Sequence, residues 1–282
     1  ESMTGLDLVD RLVQLALEED LSKGDVTTMT TVADTVQGQG LILAKQDLVV
    51  AGVDVANRVF TAVDESILVD WACKDGDFVT AGTPLGSAKG SVPALLAAER
   101  TVLNFLQRLC GVATTTRTFV QAVSGLSVAI VDTRKTTPGW RTLEKMAVAA
   151  GGGTNHRFCL GSGILIKDNH VDAGGGVVSV VQKARAGAPQ GLLVQVEVRT
   201  LAELDSAIEA RADMVLLDNM TNETMRDAAA RVRAVGIVSE ASGGVNLSTV
   251  RGIAETGVDR ISIGALTHSS PSMDISMKVK PL

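Results

Sequence analysis

The sequence predicts an α/β protein in two parts, a mixed region from about Gly5 to Gly111 followed by an open or truncated barrel of strand-then-helix repeats. Apolar runs after Gly111 end at Arg134, Lys167, Glu197, Asp218, Ser242 and Gly264, separated by roughly 20 to 30 residues, the length of a βα repeat. Six such repeats are too few for a complete eight-stranded barrel. The composition agrees: 45% hydrophobic residues, 28 glycines and only 6 prolines in 282 residues suit an α/β enzyme with many tight strand-helix junctions.

Taken in order, Leu6 to Glu19 places Leu8, Val9, Leu12, Leu15 and Ala16 at helical spacing, with acids opposite. Gln39 to Ala44 and Leu48 to Ala51 predict short strands, and Asp54 to Val63 a helix. Lys74 to Leu85, with Gly76, Gly82 and Pro84, has the strand-and-turn pattern of one hairpin of a lipoyl or biotinyl domain, a shape that also occurs as plain structure. Pro93 to Leu109 predicts a strong helix, since Leu95, Leu96, Val102, Leu103 and Leu106 recur at three and four. Arg100 lies near an otherwise apolar face of that helix, where an ion pair with a neighbouring acid is the simplest expectation. Beyond Gly111, Ser127 to Val131 and Gly163 to Ile166 predict buried strands, and Leu201 to Ala210 and Met225 to Val235 helices.

The residues at the ends of those strands carry the chemistry. Asp132-Thr133-Arg134-Lys135-Thr136-Thr137-Pro138-Gly139 ends an apolar run in two adjacent cations and a turn, and strand carboxyl ends are where α/β proteins keep their sites. Asn155-His156-Arg157 and Lys167-Asp168-Asn169-His170 add further cations and two histidines. In a chain of net charge -6 this basic cluster implies an anionic small molecule. Glu197 and Asp218, inside or ending successive apolar strands, suit Mg²⁺, ribose hydroxyls or a developing cation, or else pair with Lys135 and Lys167. Ser242-Gly243-Gly244 and Gly264 fit a phosphate site built from the last strand loops. His170 and His268 are expected to bond neighbours or lie at the surface.

Other classes are disfavoured. The absence of tyrosine and 2% aromatic content leave little to stack on bases, so nucleic acid is not expected. No Walker or Gly-x-Gly-x-x-Gly loop is present. Cys73, Cys110 and Cys159 form no Cys-x-x-Cys pair, which fits a reducing cytoplasm without disulfides or structural zinc. No apolar run is long enough to span a bilayer and no basic-then-apolar leader is seen, so no membrane partner is expected. Glu1-Ser2 before Met3 reads as an added remnant.

Together, the segments Asp132 to Gly139, Asn155 to Arg157, Lys167 to His170, Glu197-Val198, Leu217 to Asn219, Ser242 to Gly244 and Gly264 to His268 resemble the quinolinate phosphoribosyltransferase family, decarboxylating enzymes of de novo NAD synthesis. The resemblance implies a type II phosphoribosyltransferase with an N-terminal α/β sandwich domain at 5–111, an incomplete α/β barrel at 112–267, and a tail at 268–282 returning to the first domain. It also implies a head-to-tail homodimer, with higher association left open, in which one N-terminal domain caps the other barrel and Arg100 reaches across to the substrate dicarboxylate. Arg100, Thr133, Arg134, His156, Arg157 and Lys167 match the quinolinate pocket. Lys135, Lys167, Glu197, Asp218, Ser242, Gly243 and Gly264 match the surroundings of phosphoribosyl pyrophosphate, with Glu197 and Asp218 holding Mg²⁺ directly or indirectly and, with Lys135 and Lys167, serving catalysis. The chain departs at Phe158 to Gly163, where an aspartate is expected near Ser162. The competing readings are a related transferase acting on another acid, a Schiff-base lyase using Lys135 or Lys167, and a carrier built on the hairpin near Gly82.

Overall fold

Helix α1 (Gly5–Leu21) forms where the first apolar stripe predicts it, burying Val9, Val13 and Leu17 at successive turns. The structure is a computed structural model that describes residues 5–282; Glu1 and Ser2 lie outside the described residues. It comprises two units. The first holds the chain up to Arg117, Thr136–Gly152 and Leu266–Leu282, and the second Thr118–Lys135 and Gly153–Ala265.

In the first unit, α2 (Val26–Thr31) is capped by Asp25, whose carboxylate accepts the Thr28 N–H at 3.0 Å. Strand β1 (Gln37–Ala44) lies between β12 (Ile275–Pro281) and β5 (Pro84–Ser91), and β3 (Leu68–Trp71) completes an antiparallel sheet of order β12-β1-β5-β3. Residues 268–282 thus contribute β12 beside β1, through a register that pairs Ile42 with Met277. Helix α3 (Val53–Val63) buries Val55, Val59 and Phe60. The lipoyl-like hairpin does not form. Instead β4 (Phe78–Val79) pairs with β2 (Leu48–Val49), and Pro84–Ser91 pairs elsewhere. The reason is tertiary: the Gly82 N–H donates to Ala44 O, and the Val50 N–H to Asp77 O, so this segment is stitched to 44–50 instead of folding on itself.

Helix α4 (Val92–Ala122) runs straight through Gly111, which corrects the expected helix end at Leu109. Gly111 permits a close crossing: a Cβ there would stand 2.0 Å from the Pro271 carbonyl oxygen. Helix α5 (Arg141–Ala150) also packs in this unit, although it lies within the stretch 112–267 expected to form the barrel; its Leu143, Ala147 and Val148 are buried.

The second unit is a six-stranded parallel sheet of order β6-β11-β10-β9-β8-β7, with β6 (Ala129–Val131) and β7 (Ile164–Ile166) at its edges. The inner strands β8 (Val194–Val198), β9 (Met214–Asp218), β10 (Val238–Ser242) and β11 (Arg260–Ser262) are nearly all buried, as expected when helices cover a parallel sheet. Those helices are α6 (Asp168–Gly174), α7 (Val177–Gly187), α8 (Leu201–Glu209), α9 (Asn222–Ala234) and α10 (Val250–Ala254). Thr200 and Thr221 cap α8 and α9. The short α11 (Ala265–His268) then leads back to β12. The open barrel is therefore observed, with the Val131–Thr154 bridge extending its β6 edge.

Candidate active site

All the expected site residues except Arg100 belong to the second unit, and they collect at the carboxyl ends of its parallel strands. Thr133, Arg134 and Lys135 follow β6, and the Thr133 Oγ1 accepts the Lys135 N–H at 3.0 Å. Pro138-Gly139 makes the expected turn, with Gly139 at φ +83° and the Trp140 N–H donating to Thr137 O, although Thr136 to Gly139 already pack in the first unit. Buried Asp132 accepts the His156 N–H at 2.7 Å and Asn155 Nδ2 at 2.6 Å, anchoring Asn155-His156-Arg157 beside β6. Arg157 is held by a 3.0 Å bond to Gly163 O. Burial, reinforced by the charge of Arg134, pushes its guanidinium below the usual arginine range. Like charges brought together at a strand end invite an anion between them.

Opposite chemistry gathers on β7, β8 and β9. Burial pushes the Glu197 carboxyl above its usual range and the charge of Asp218 adds to this, while Lys167 pulls the other way. Lys167 caps α6, its N–H donating to His170 Nδ1 at 2.9 Å, so His170 bonds its neighbour as expected. The Asp218 carboxylate accepts from Asn219 Nδ2 at 3.0 Å. Asn219 has φ +50° and donates its N–H to Ser242 O, tying the β9 end to the phosphate-type loop. Gly243, at φ +95°, leaves room for Asn219: a Cβ would lie 2.3 Å from its Oδ1. Gly264 follows β11, whose end is tied to β6 by the Ile263 N–H donating to Val131 O.

Arg100 stands in the first unit, exposed on α4, lining a cavity of about 250 Å³ with Leu12, Glu19, Asp20 and Trp140. Although two acids share that cavity, Arg100 forms no ion pair among the described residues, which corrects the simplest expectation for it. Trp140 is itself fixed by stacking on Phe105, ring centroids 4.7 Å apart. Cys73, Cys110 and Cys159 are thiols; burial pushes Cys73 up to about 11 and Cys110 up to about 12, which disfavours the thiolate of both at neutral pH.

Two family profiles cover the chain. The quinolinate phosphoribosyl transferase N-terminal domain matches residues 25–110 and the C-terminal domain residues 112–278. The chain belongs to the quinolinate phosphoribosyltransferase family. It is 42% identical over 261 residues to the probable nicotinate-nucleotide pyrophosphorylase (carboxylating) of Bacillus subtilis, spanning 93% of this chain and 90% of that one. It is 41% identical over 286 residues to the chloroplastic nicotinate-nucleotide pyrophosphorylase (carboxylating) of Arabidopsis thaliana, spanning 95% of this chain and 82% of that protein. The structure of the nicotinate-nucleotide pyrophosphorylase from Francisella tularensis superposes with a TM-score of 0.94 at 38% identity, covering 99% of this chain and 98% of that one.

Within this quinolinate phosphoribosyltransferase frame, the loop Phe158 to Gly163 closes on itself without the expected aspartate: the Cys159 N–H donates to Ser162 Oγ at 2.9 Å, and that hydroxyl donates back to Cys159 O. Sequence reasoning misses three polar residues. Asp132 stands in the motif after β6 without an expected role of its own, while Gln195 and Glu240, both buried, meet His156 from below. A signal for Glu240 exists, because Ser239-Glu240-Ala241 puts a carboxylate inside an apolar strand just as Val196-Glu197-Val198 does. Among the described residues no helix is long and apolar enough to cross a membrane.

Proposed function

We propose that this chain transfers the phosphoribosyl group of phosphoribosyl pyrophosphate to quinolinate with loss of carbon dioxide, giving nicotinate mononucleotide and pyrophosphate in NAD biosynthesis. The observation that carries this reading is one parallel sheet whose strand ends gather Arg134 with Arg157 and Glu197 with Asp218. A dicarboxylate needs the first pair, and a ribosyl cation needs the second. In this reading Arg134, Arg157 and Lys167, with Thr133 and His156 nearby, hold quinolinate. Lys135, Ser242, Gly243 and Gly264 hold the phosphates. Arg100, exposed and without an ion pair among the described residues, suits a role toward the dicarboxylate of a second subunit in a homodimer. We take 5–111 and 268–282 as the N-terminal domain and 112–267 as the catalytic one.

Two carboxylates on neighbouring strands fit Mg²⁺, and Glu197 and Asp218 would hold it directly or through water. Burial raises Glu197 first and the charge of Asp218 adds to it, and a cation between the two carboxylates would relieve both. Bound there, Mg²⁺ would supply charge neutralisation for the departing pyrophosphate.

Arg157 and Arg134 orient the pyridine ring so that its nitrogen faces the ribose carbon. The bond from that carbon to pyrophosphate breaks, its electron pair leaving with pyrophosphate, ahead of the new bond to the nitrogen lone pair, and Glu197 and Asp218 stabilise the positive charge that develops on the ribose between the two events. Lys135 offsets the charge of the departing pyrophosphate. In the quaternised ring the bond to the 2-carboxylate then breaks, carbon dioxide leaves, the electron pair stays on the ring carbon beside the positive nitrogen, and a proton from water completes the product.

The test is release of labelled carbon dioxide from 2-carboxyl-labelled quinolinate in the presence of phosphoribosyl pyrophosphate and Mg²⁺, with nicotinate in parallel. Release that needs both cosubstrates is expected. Pyrophosphate formed from nicotinate without carbon dioxide would instead assign a related transferase.

A further inference from the structure

Glu240 has no part in the roles above, yet it is a carboxylate with 1% exposure near the middle of β10. Its Oε2 lies 3.3 Å from His156 Nε2, accepts from Gln195 Nε2 at 3.2 Å, and stands 3.9 Å from Arg260 Nε. Burial raises its carboxyl, but the hydrogen bond from His156, with Arg260 and Gln195, outweighs burial and holds it below the usual range. A charge kept ionised inside a sheet costs stability unless its partners are fixed in place.

The imidazole of His156 is engaged on both sides. Its Nδ1 accepts the Arg157 N–H at 2.8 Å, so the ring hydrogen sits on Nε2, directed at Glu240 and at Gln195 Oε1, 3.1 Å away. Asp132 holds the backbone of the same residue from the other side through the His156 N–H. Asn155-His156-Arg157 is therefore suspended between two buried carboxylates, and the ring of His156 links Glu240 to the backbone of Arg157.

We propose that Glu240 is a positioning residue for quinolinate recognition, acting through His156 to fix Arg157, and that His156 serves the pocket as this link. The inference rests on the assignment of Arg157 to quinolinate above. Its consequence is selective: Glu240 governs the KM for quinolinate and leaves that for phosphoribosyl pyrophosphate alone, although Ser242 of the phosphate loop ends the same strand.

A double-mutant cycle on the full-length enzyme tests it, with both KM values and kcat measured for wild type, Glu240→Gln, His156→Ala and the double variant. Glu240→Gln keeps the shape and removes the charge. It is expected to raise the quinolinate KM about tenfold, the effect of losing one charged hydrogen bond, with the other KM unchanged within about twofold. In the His156→Ala background it should add nothing. Multiplying penalties, an equal rise in both KM values, or a wild-type quinolinate KM in Glu240→Gln would overturn the proposal. Should Glu240→Gln not fold, Gln195→Met removes the second group at Nε2 without removing a charge, and the same selectivity and the same silence behind His156→Ala are required of it. A wild-type enzyme that releases no carbon dioxide from quinolinate would overturn the functional reading and this inference together, whereas an active wild type with an indifferent Glu240→Gln overturns the inference alone.

Discussion

Glu197 shows how a single side chain exchanges stability for chemistry. Its folded-state pKa is raised by burial and by Asp218, so at neutral pH its charge disfavours the fold, and that penalty is relieved as pH falls through its titration. Glu197→Gln should therefore raise Tm by about 1–2 °C, the modest shift expected of a partly solvated carboxyl, while lowering kcat by roughly 10²-fold or more. Thermal melts and turnover on the same preparation check both; a variant that loses activity and stability together would refute the assignment. By the same titration, the Glu197 carboxyl of the enzyme without Mg²⁺ should protonate above the range of an ordinary carboxylate, as followed by carboxyl-selective NMR. Lys135→Ala should raise the KM for phosphoribosyl pyrophosphate at least about tenfold with little change for quinolinate, and full turnover at low phosphoribosyl pyrophosphate would remove Lys135 from the phosphate site.

At the scale of elements, two glycines carry geometry that no other residue supplies. Gly243→Ala places a methyl group against Asn219 at a left-handed φ, which should loosen the loop and raise the KM for phosphoribosyl pyrophosphate at least about fivefold, the lower end of what about 1–3 kcal/mol of strain produces. Gly111→Ala meets the Pro271 carbonyl and should destabilise the fold by about 1–3 kcal/mol in denaturant unfolding, without altering either KM. The same elements explain what is legible. Long helices are, because α1 and α4 repeat their apolar positions over many turns. The two-residue strand β2 lies within the run Leu48 to Ala51 that predicts it, whereas its pairing with β4 is not legible, since two residues carry no alternation. Strand β3 leaves no signal because it is an edge strand with no buried residue among Leu68–Trp71.

For the whole molecule, the proposed shared-site dimer makes the sharpest prediction. Arg100→Ala and Lys135→Ala subunits, assayed at low phosphoribosyl pyrophosphate where each alone is strongly impaired, should rise toward about a quarter of wild-type activity when mixed and allowed to exchange, because half the dimers are then mixed and each holds one intact site. No recovery would confine Arg100 to its own chain. What the sequence determined by itself was the set of buried strands and the polar residues placed at their carboxyl ends, because apolar run length and the charge that ends it are local properties. Only the tertiary structure decided that α4 passes through Gly111, that Phe78-Val79 pairs with Leu48-Val49, and that Glu240 rises beneath His156. The last two depend on strand order and register between segments distant in the chain: Gln195 and Glu240 meet across the intervening β9, and nothing in either residue's neighbours specifies the other.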